Sequence, residues 1–321
     1  MFDDTMEMNY DEFIEYIKER MEEALEDDDV REVRIVPAIK NNQIVVDALQ
    51  AFFEDGGQSP LIYLDSYYED YRMGVNLDEL LHNMVMLYRD SLENAQVMGA
   101  VDIQQFERVR DKLTLRLVNT EQNSVLLSGC PHRSFADELE VTYRIVAGRT
   151  EGGISTILVT NDLLETWDVD EELLFTLACE NSLRLFPPVI ESVRQMLERS
   201  FGAGITKAFK DSPDAPENRL YLLTNDCRIN GAAALCYSDA LPSFARAMDT
   251  DFFVIPSSIH EVILVPEGTG FSPHQLKDIL VGANHKVLQK EDILSNGIYF
   301  YARSRGKIEK YSGQMEGNLL Q

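Results

Sequence analysis

Two short stretches bring together residue types that do acid–base or nucleophilic work. The first, Phe252 to Pro266, reads FFVIPSSIHEVILVP and sets Ser257, Ser258, His260 and Glu261 between two apolar runs. A serine nucleophile needs a histidine base within hydrogen-bond reach and an acid to orient that base. All three types fall within five residues here. The second, Cys130-Pro131-His132-Arg133, sets a thiol two residues from an imidazole. A thiolate beside a histidine is a nucleophile, and His132 with Arg133 would suit an anion or orient a backbone carbonyl. Spacing argues against either as a self-contained site. If Ile259 to Val265 is extended, His260 and Glu261 point to opposite faces. No GxSxG elbow surrounds the serines, and a proline separates Cys130 from His132. The plainer reading makes the first stretch a connection between strands Phe252–Ile255 and Val262–Val265, with His260 anchoring the turn. It makes the second a polar loop before a strand. The sharper reading is that the two loops converge, so that His132, Arg133, Ser258, His260 and Glu261 line one pocket.

Other polar residues read as structural first. Asn181 falls on the apolar stripe of its helix, four after Leu177, and a buried Asn must be hydrogen-bonded. Asn161, Asn225 and Asn230 sit near strand ends. Tyr63, Tyr67, Tyr68 and Tyr71 suit partly buried packing with wet hydroxyls. Cys130, Cys179, Cys227 and Cys236 form no CxxC pair and read as reduced thiols. No Walker A, GxGxxG or HExxH sequence occurs, and His82, His132, His260, His274 and His285 are widely separated. Nucleotide-driven and metallohydrolase chemistry are disfavoured, and no cofactor or metal is expected.

The elements that must carry these residues follow from periodicity. Tyr10, Phe13, Ile14, Ile17, Met21 and Leu25 recur at helical spacing. A hairpin follows, joined by Lys40-Asn41-Asn42, since Asn tolerates the positive φ of tight turns. A short strand, a tyrosine-rich segment and a helix marked by Leu77, Leu80, Leu81, Met84 and Tyr88 come next, with Asn76 as N-cap. A third helix is predicted over Asp102 to Val118. Leu139, Val141, Tyr143 and Ile145 alternate with Glu140, Thr142 and Arg144, which predicts a strand with one wet face. STILVTND is a further strand. Asp168 or Asp170 caps the helix after it, which Pro187 and Pro188 end, and a fresh helix starts near Val189. Ser272, Pro273 and Gln275 mark another helix start. ILVTND (157–162) and YLLTND (221–226) resemble one another, as one local solution used twice would. The expected fold is α+β: a mixed sheet with packed helices and an N-terminal helix–hairpin–helix subdomain. Residues 1–8 form an acidic leader, 9–125 the N-terminal subdomain and 126–303 the core, with a loop at 210–218; 304–321 form a flexible tail.

The formal charge is −26 over 321 residues. Residues 1–30 hold 13 acidic and two basic side chains, a net of −11. That balance makes direct binding to nucleic acid or to an anionic membrane unfavourable. It suits a nucleic-acid mimic or, more plainly, a solvated helix face. No run of about 18 apolar residues exists, and the N-terminus has no basic segment followed by an apolar one, so the cytoplasm is expected.

PHRSFADELEVTYRIV, ILVTNDLLETWDVDEELLFTLACENSLRLFPP, YLLTND…NGAAALCY and FFVIPSSIHEVILVP together resemble a family from anaerobic Firmicutes known as a domain of unknown function. The resemblance spans residues 9–303. From Leu163 onward the chain is also distantly similar to the YtpQ-like family, with its Trp-acidic-helix-Asn pattern before a strand pair. The first resemblance implies a bacterial cytosolic protein and a link to mobile elements; it transfers no catalytic residue. The function expected is a non-enzymatic protein that binds another protein, such as a host or defence factor. The alternative is an enzyme or small-ligand binder at the CPHR–SSIHE pocket.

Overall fold

The computed structural model describes residues 8–26, 28, 30–53, 61–97, 103–150, 153–202, 219–286 and 288–312. The chain forms two compact units, Met1–Val101 and Asp102–Gln321. Most of the acidic leader, the loop at 210–218 and residues 313–321 lie outside the described residues.

In the first unit, Asn9 caps helix α1 (Tyr10–Ala24) through a reciprocal capping box with Glu12, which satisfies two backbone donors that the first turn leaves unpaired. Strands β1 (Val30–Ile39) and β2 (Val45–Phe53) form the expected hairpin. Asn42 at its tip adopts φ 60°. Strand β3 (Ile62–Tyr63) completes a three-stranded antiparallel sheet and runs into α2 (Leu64–Arg72), and α3 (Leu77–Val97) follows. Phe13, Ile17 and Met21 from α1, Leu64 from α2, and Leu80, Met84 and Tyr88 from α3 bury against Val33, Leu49 and Ala51 of the sheet. Each large side chain so buried contributes roughly 1.5–3 kcal/mol. Tyr67, Tyr68 and Tyr71 pack as read, whereas Tyr63 is exposed: Tyr71 stacks on Phe13 at 5.5 Å, and its hydroxyl accepts the Met8 N–H.

The second unit holds two antiparallel sheets. Strands β4 (Leu113–Asn119), β5 (His132–Ala136), β6 (Leu139–Thr150) and β7 (Gly153–Leu158) make the smaller. The larger has the order β13-β12-β10-β11-β9-β8, from β8 (Pro188–Ser192), β9 (Tyr221–Asn225), β10 (Phe252–Ile255), β11 (Val262–Pro266), β12 (Tyr299–Ala302) and β13 (Lys307–Lys310). Helices α4 (Phe106–Val109), α5 (Ser124–Ser128), α6 (Asn161–Trp167), α7 (Glu171–Leu185), α8 (Val193–Phe201), α9 (Ala240–Met248) and α10 (Pro273–Lys286) surround them. Leu276 and Leu280 of α10 pack on Phe253, Val265 and Phe300. Phe244 of α9 meets Phe252 edge to face at 4.9 Å.

The α+β class holds, and several finer expectations change. Residues 113–119 form a strand, not the end of a helix: Leu113, Leu115 and Leu117 alternate with Thr114, Arg116 and Val118, and all seven residues pair with β6. That pairing puts residues 102–125 in the second unit, so the boundary falls after Val101 instead of near 125. The strands expected to share one sheet divide between two, because among the described residues β4–β7 pair only with one another. Residues 188–192 pair with β9 before α8 begins. Residues 307–310, expected in the flexible tail, pair with β12. The TND echo is two different solutions. Thr160 caps α6 by accepting the Leu163 N–H, whereas the Thr224 hydroxyl donates to His260 O and the Asn225 amide to Ile229 O. Asp170, not Asp168, caps α7.

Candidate functional site

The loop and the turn picked from sequence take up distinct neighbours. His132 Nδ1 lies 3.0 Å from Cys130 O, so that ring nitrogen donates to a carbonyl and not to sulfur. Burial pushes the Cys130 thiol up, the direction that suppresses a thiolate. Arg133 places Nε and Nη2 on the Glu171 carboxylate at 2.6–3.1 Å and its guanidinium over Phe175 at 4.2 Å. Glu172 adds a further ion pair. Two carboxylates in the first turn of α7 thus clamp this arginine, and the tyrosine hydroxyl of Tyr143 donates to one of them.

His260 is a brace. Its Nδ1 accepts the Asn230 backbone N–H at 3.2 Å, which places the ring proton on Nε2, 3.1 Å from Asp292 Oδ1. Neither nitrogen faces Ser258. The Ser258 hydroxyl accepts the His260 backbone N–H at 3.0 Å and is buried. A Ser-His relay is therefore not assembled in this turn. Strand β11 begins at Val262, so the opposite-face argument does not reach His260 and Glu261, which lie in the bend before it. Burial pushes the Glu261 carboxyl up, against the pull of Arg228 and His260. No hydrogen bond or ion pair joins His132 or Arg133 to Ser258, His260 or Glu261.

What the sequence reading missed lies between the two segments. The face of β6 carrying Glu140, Thr142 and Arg144 is covered, not wet: Thr142 is fully buried and Glu140 is 9% exposed. Arg116, Thr142 and His132 lie in one cross-strand row, and Thr114, Arg144 and Leu158 in the next. His132 is thus two strand spacings, roughly 10 Å, from Arg116. Beside Arg116 and Arg144 lies a cavity of about 20 Å³ whose walls include Thr156, Asn225, Asn230 and Tyr237. Asn230 holds φ 52°, and its N–H is the group that His260 braces. His260 thus holds the backbone of one cavity-wall residue in place. Asn181, expected to be buried and hydrogen-bonded, donates to Arg110 O at 2.7 Å. Its neighbour on α7, Ser182, bonds Thr114 Oγ1 and accepts the Leu115 N–H, closing the outer edge of β4. Reading β4 as helix hid Arg116. The signal that finds it is the strict alternation of Leu113, Leu115 and Leu117. Among the described residues, no group of three or more His, Cys, Asp or Glu side chains is placed to hold a metal.

The first unit offers a different kind of surface. Asp11, Glu15, Glu19, Glu22 and Glu26, spaced by three or four residues, form an exposed row on α1 and the turn after it, and none of them makes an ion pair with another described residue. Residues 1–101 carry 24 acidic and seven basic side chains, a net of −17, against −9 for residues 102–321.

These features define an α+β protein with a small polar cavity in its larger unit and an acidic face on its smaller one. The chain matches, over residues 10–303, a family of unknown function (DUF5688), and it belongs to that family. No curated protein and no solved structure matches it. No helix among the described residues is long and apolar enough to cross a membrane.

Proposed function

We propose that the chain is a non-enzymatic, acidic cytosolic protein of Firmicutes, associated with mobile elements, that binds another protein. The contact falls on the α1 face, and the partner presents a basic surface. The observation that carries this reading is the carboxylate row Asp11, Glu15, Glu19, Glu22 and Glu26. Like charges at i,i+4 destabilise an exposed helix by about 0.2–0.5 kcal/mol per pair, so the row beyond Asp11, whose first-turn position suits the helix dipole, costs stability. A basic partner would convert that cost into attraction and into fast association that salt weakens. The engagement of both His260 ring nitrogens and of the Arg133 guanidinium supports a binding role over catalysis at those residues. The test is capture from a native lysate of the source organism. The full chain should retain a stoichiometric partner that elutes as salt rises, and Glu15→Gln/Glu19→Gln/Glu22→Gln should lose it. Recovery of no partner, or equal recovery by the triple variant, contradicts the reading.

A further inference from the structure

We infer that His260 is a pH-sensitive latch on the turn at residues 226–230: a proton taken up at Nδ1 frees the Asn230 amide while the ring stays on Asp292. Nδ1 accepts the Asn230 N–H at 3.2 Å, and Nε2 lies 3.1 Å from Asp292 Oδ1. A neutral imidazole has one acceptor nitrogen and one donor, whereas imidazolium has two donors. This pair of bonds therefore requires the neutral ring. Once Nδ1 carries a proton, two N–H groups face each other and the Asn230 bond is lost, while the bond to Asp292 becomes an ion pair. Protons reach the ring from solvent, since 34% of the side chain is exposed.

The turn has a conformation that loosens when a restraint goes. Arg228 and Asn230 hold φ 59° and 52°, a left-handed backbone that non-glycine residues keep only where their surroundings enforce it. Asn225 binds the turn internally, accepting the Arg228 N–H and donating to Ile229 O. The His260 ring ties its far end to Asp292. Acidification thus loosens Ile229 and Asn230, which wall the cavity, and Arg228, which pairs with Glu191. The release is local. The Thr224 hydroxyl donates to His260 O and the Ala232 N–H to Ile259 O, and neither bond uses the ring.

Charged neighbours surround the ring on each side. Asp292 faces it, with Lys290 and Glu291 in the same short turn. Glu261 is next in the chain, Arg228 lies beside Glu261, and Glu191 of β8 lies beyond Arg228. The turn adds Asp226, paired with Arg149, and Cys227, whose thiol donates to Asn225 Oδ1. The Asn230 N–H favours the neutral ring and the Asp292 carboxylate the charged one. Burial pushes the Glu261 carboxyl up, so its titration must be separated from that of the ring.

The experiment takes the full chain, with its nitrogens isotopically labelled, from about pH 8 to about pH 5, the span in which imidazole titrates. Long-range proton–nitrogen spectra read which ring nitrogen of His260 carries a proton. Hydrogen exchange reads the Asn230 amide against its intrinsic rate at each pH. The proton should sit on Nε2 at the alkaline end and on both nitrogens at the acid end. Over the same transition, protection of the Asn230 amide should fall about tenfold, the order expected for loss of one hydrogen bond, and the Ala232 amide should keep its protection. His260→Asn supplies an acceptor that does not titrate and should hold Asn230 protection constant. Glu261→Gln should leave the transition in place. Constant protection of Asn230 while the ring titrates overturns the inference, as does a ring that takes up no proton at the acid end. Equal loss of protection at Ala232 overturns a local latch. A transition that persists in folded His260→Asn, or vanishes in Glu261→Gln, assigns it to another group and overturns the inference too. If His260→Asn does not fold, the wild-type series decides alone.

Discussion

The two units solve the folding problem with different materials. Of the 14 buried polar or charged residues among those described, 13 lie in the second unit, and only Asn41 lies in the first. The first unit buries an apolar stripe from each helix and turns its charge outward. The second buries Thr114, Asn119, Thr142, Asn181, Ser182, Thr224, Asn225 and Asn284 in hydrogen bonds that join sheet to helix and loop to loop. An apolar stripe tolerates repacking, whereas a buried polar network fixes one arrangement and penalises every unmet partner. The unit with the cavity is thus the one whose interior is specified by polar geometry.

Substitutions can break or sharpen that contrast. The largest effect is expected for Phe13→Ala, whose ring is fully buried in the first unit: about 3–5 kcal/mol of stability, read by urea denaturation. A loss below about 1 kcal/mol would show that the first unit does not depend on its apolar stripe. Gly231→Ala tests the second unit. A Cβ there would lie 2.2 Å from Thr224 Oγ1, 2.5 Å from His260 O and 2.8 Å from Asn225 N, so a cost of about 3 kcal/mol is expected. A stable, wild-type-like Gly231→Ala would mean that the junction of β9 with the His260 turn is looser than described. His260→Ala removes the acceptor for Asn230 and the donor to Asp292, at about 1–2 kcal/mol.

A pH series separates the clasp around Glu191. The Arg199 guanidinium, and after it Arg228, hold the Glu191 carboxyl below its ordinary value although burial opposes them. A depressed folded value means that the stabilisation is complete above the ordinary carboxylate range and is lost as pH falls through the folded value. The stability difference between wild type and Arg228→Met should be full at neutral pH and shrink below about pH 4. A difference that stays constant to pH 3 would show that the pair is not coupled to titration. The smallest effect on stability belongs to Glu15→Gln/Glu19→Gln/Glu22→Gln. It should leave stability unchanged or raise it by about 0.5 kcal/mol while abolishing partner capture. Loss of stability instead would make the row a structural feature.

The contrast also explains what the sequence made legible. Helix α1, the hairpin with Asn42 at its tip, and the Ser272–Gln275 capping box were readable because each depends on local periodicity or on one short-range hydrogen bond. The strands at 252–255 and 262–266 were readable as apolar runs flanking a polar turn, whereas the partners of His260, Asn230 and Asp292, lie some 30 residues away and no local pattern named them. Strand β4 was misread because its alternation of Leu113, Leu115 and Leu117 is short and follows a helical stretch, and what settles it is pairing with residues 139–145. Arg116 was lost with it. Alternation on β6 gave the two faces but not what covers them, so Glu140 and Thr142 read as solvated although they are buried. Whether two distant loops meet is a property of the sheet order, which no local pattern contains.

The central claim is that the acidic helix of the first unit is the contact surface. Carboxylate-to-amine cross-linking of the captured complex, followed by mass spectrometry, tests it directly. The account predicts cross-links from Glu15, Glu19 and Glu22 to lysines of the partner. Cross-links confined to residues 102–321 would contradict it.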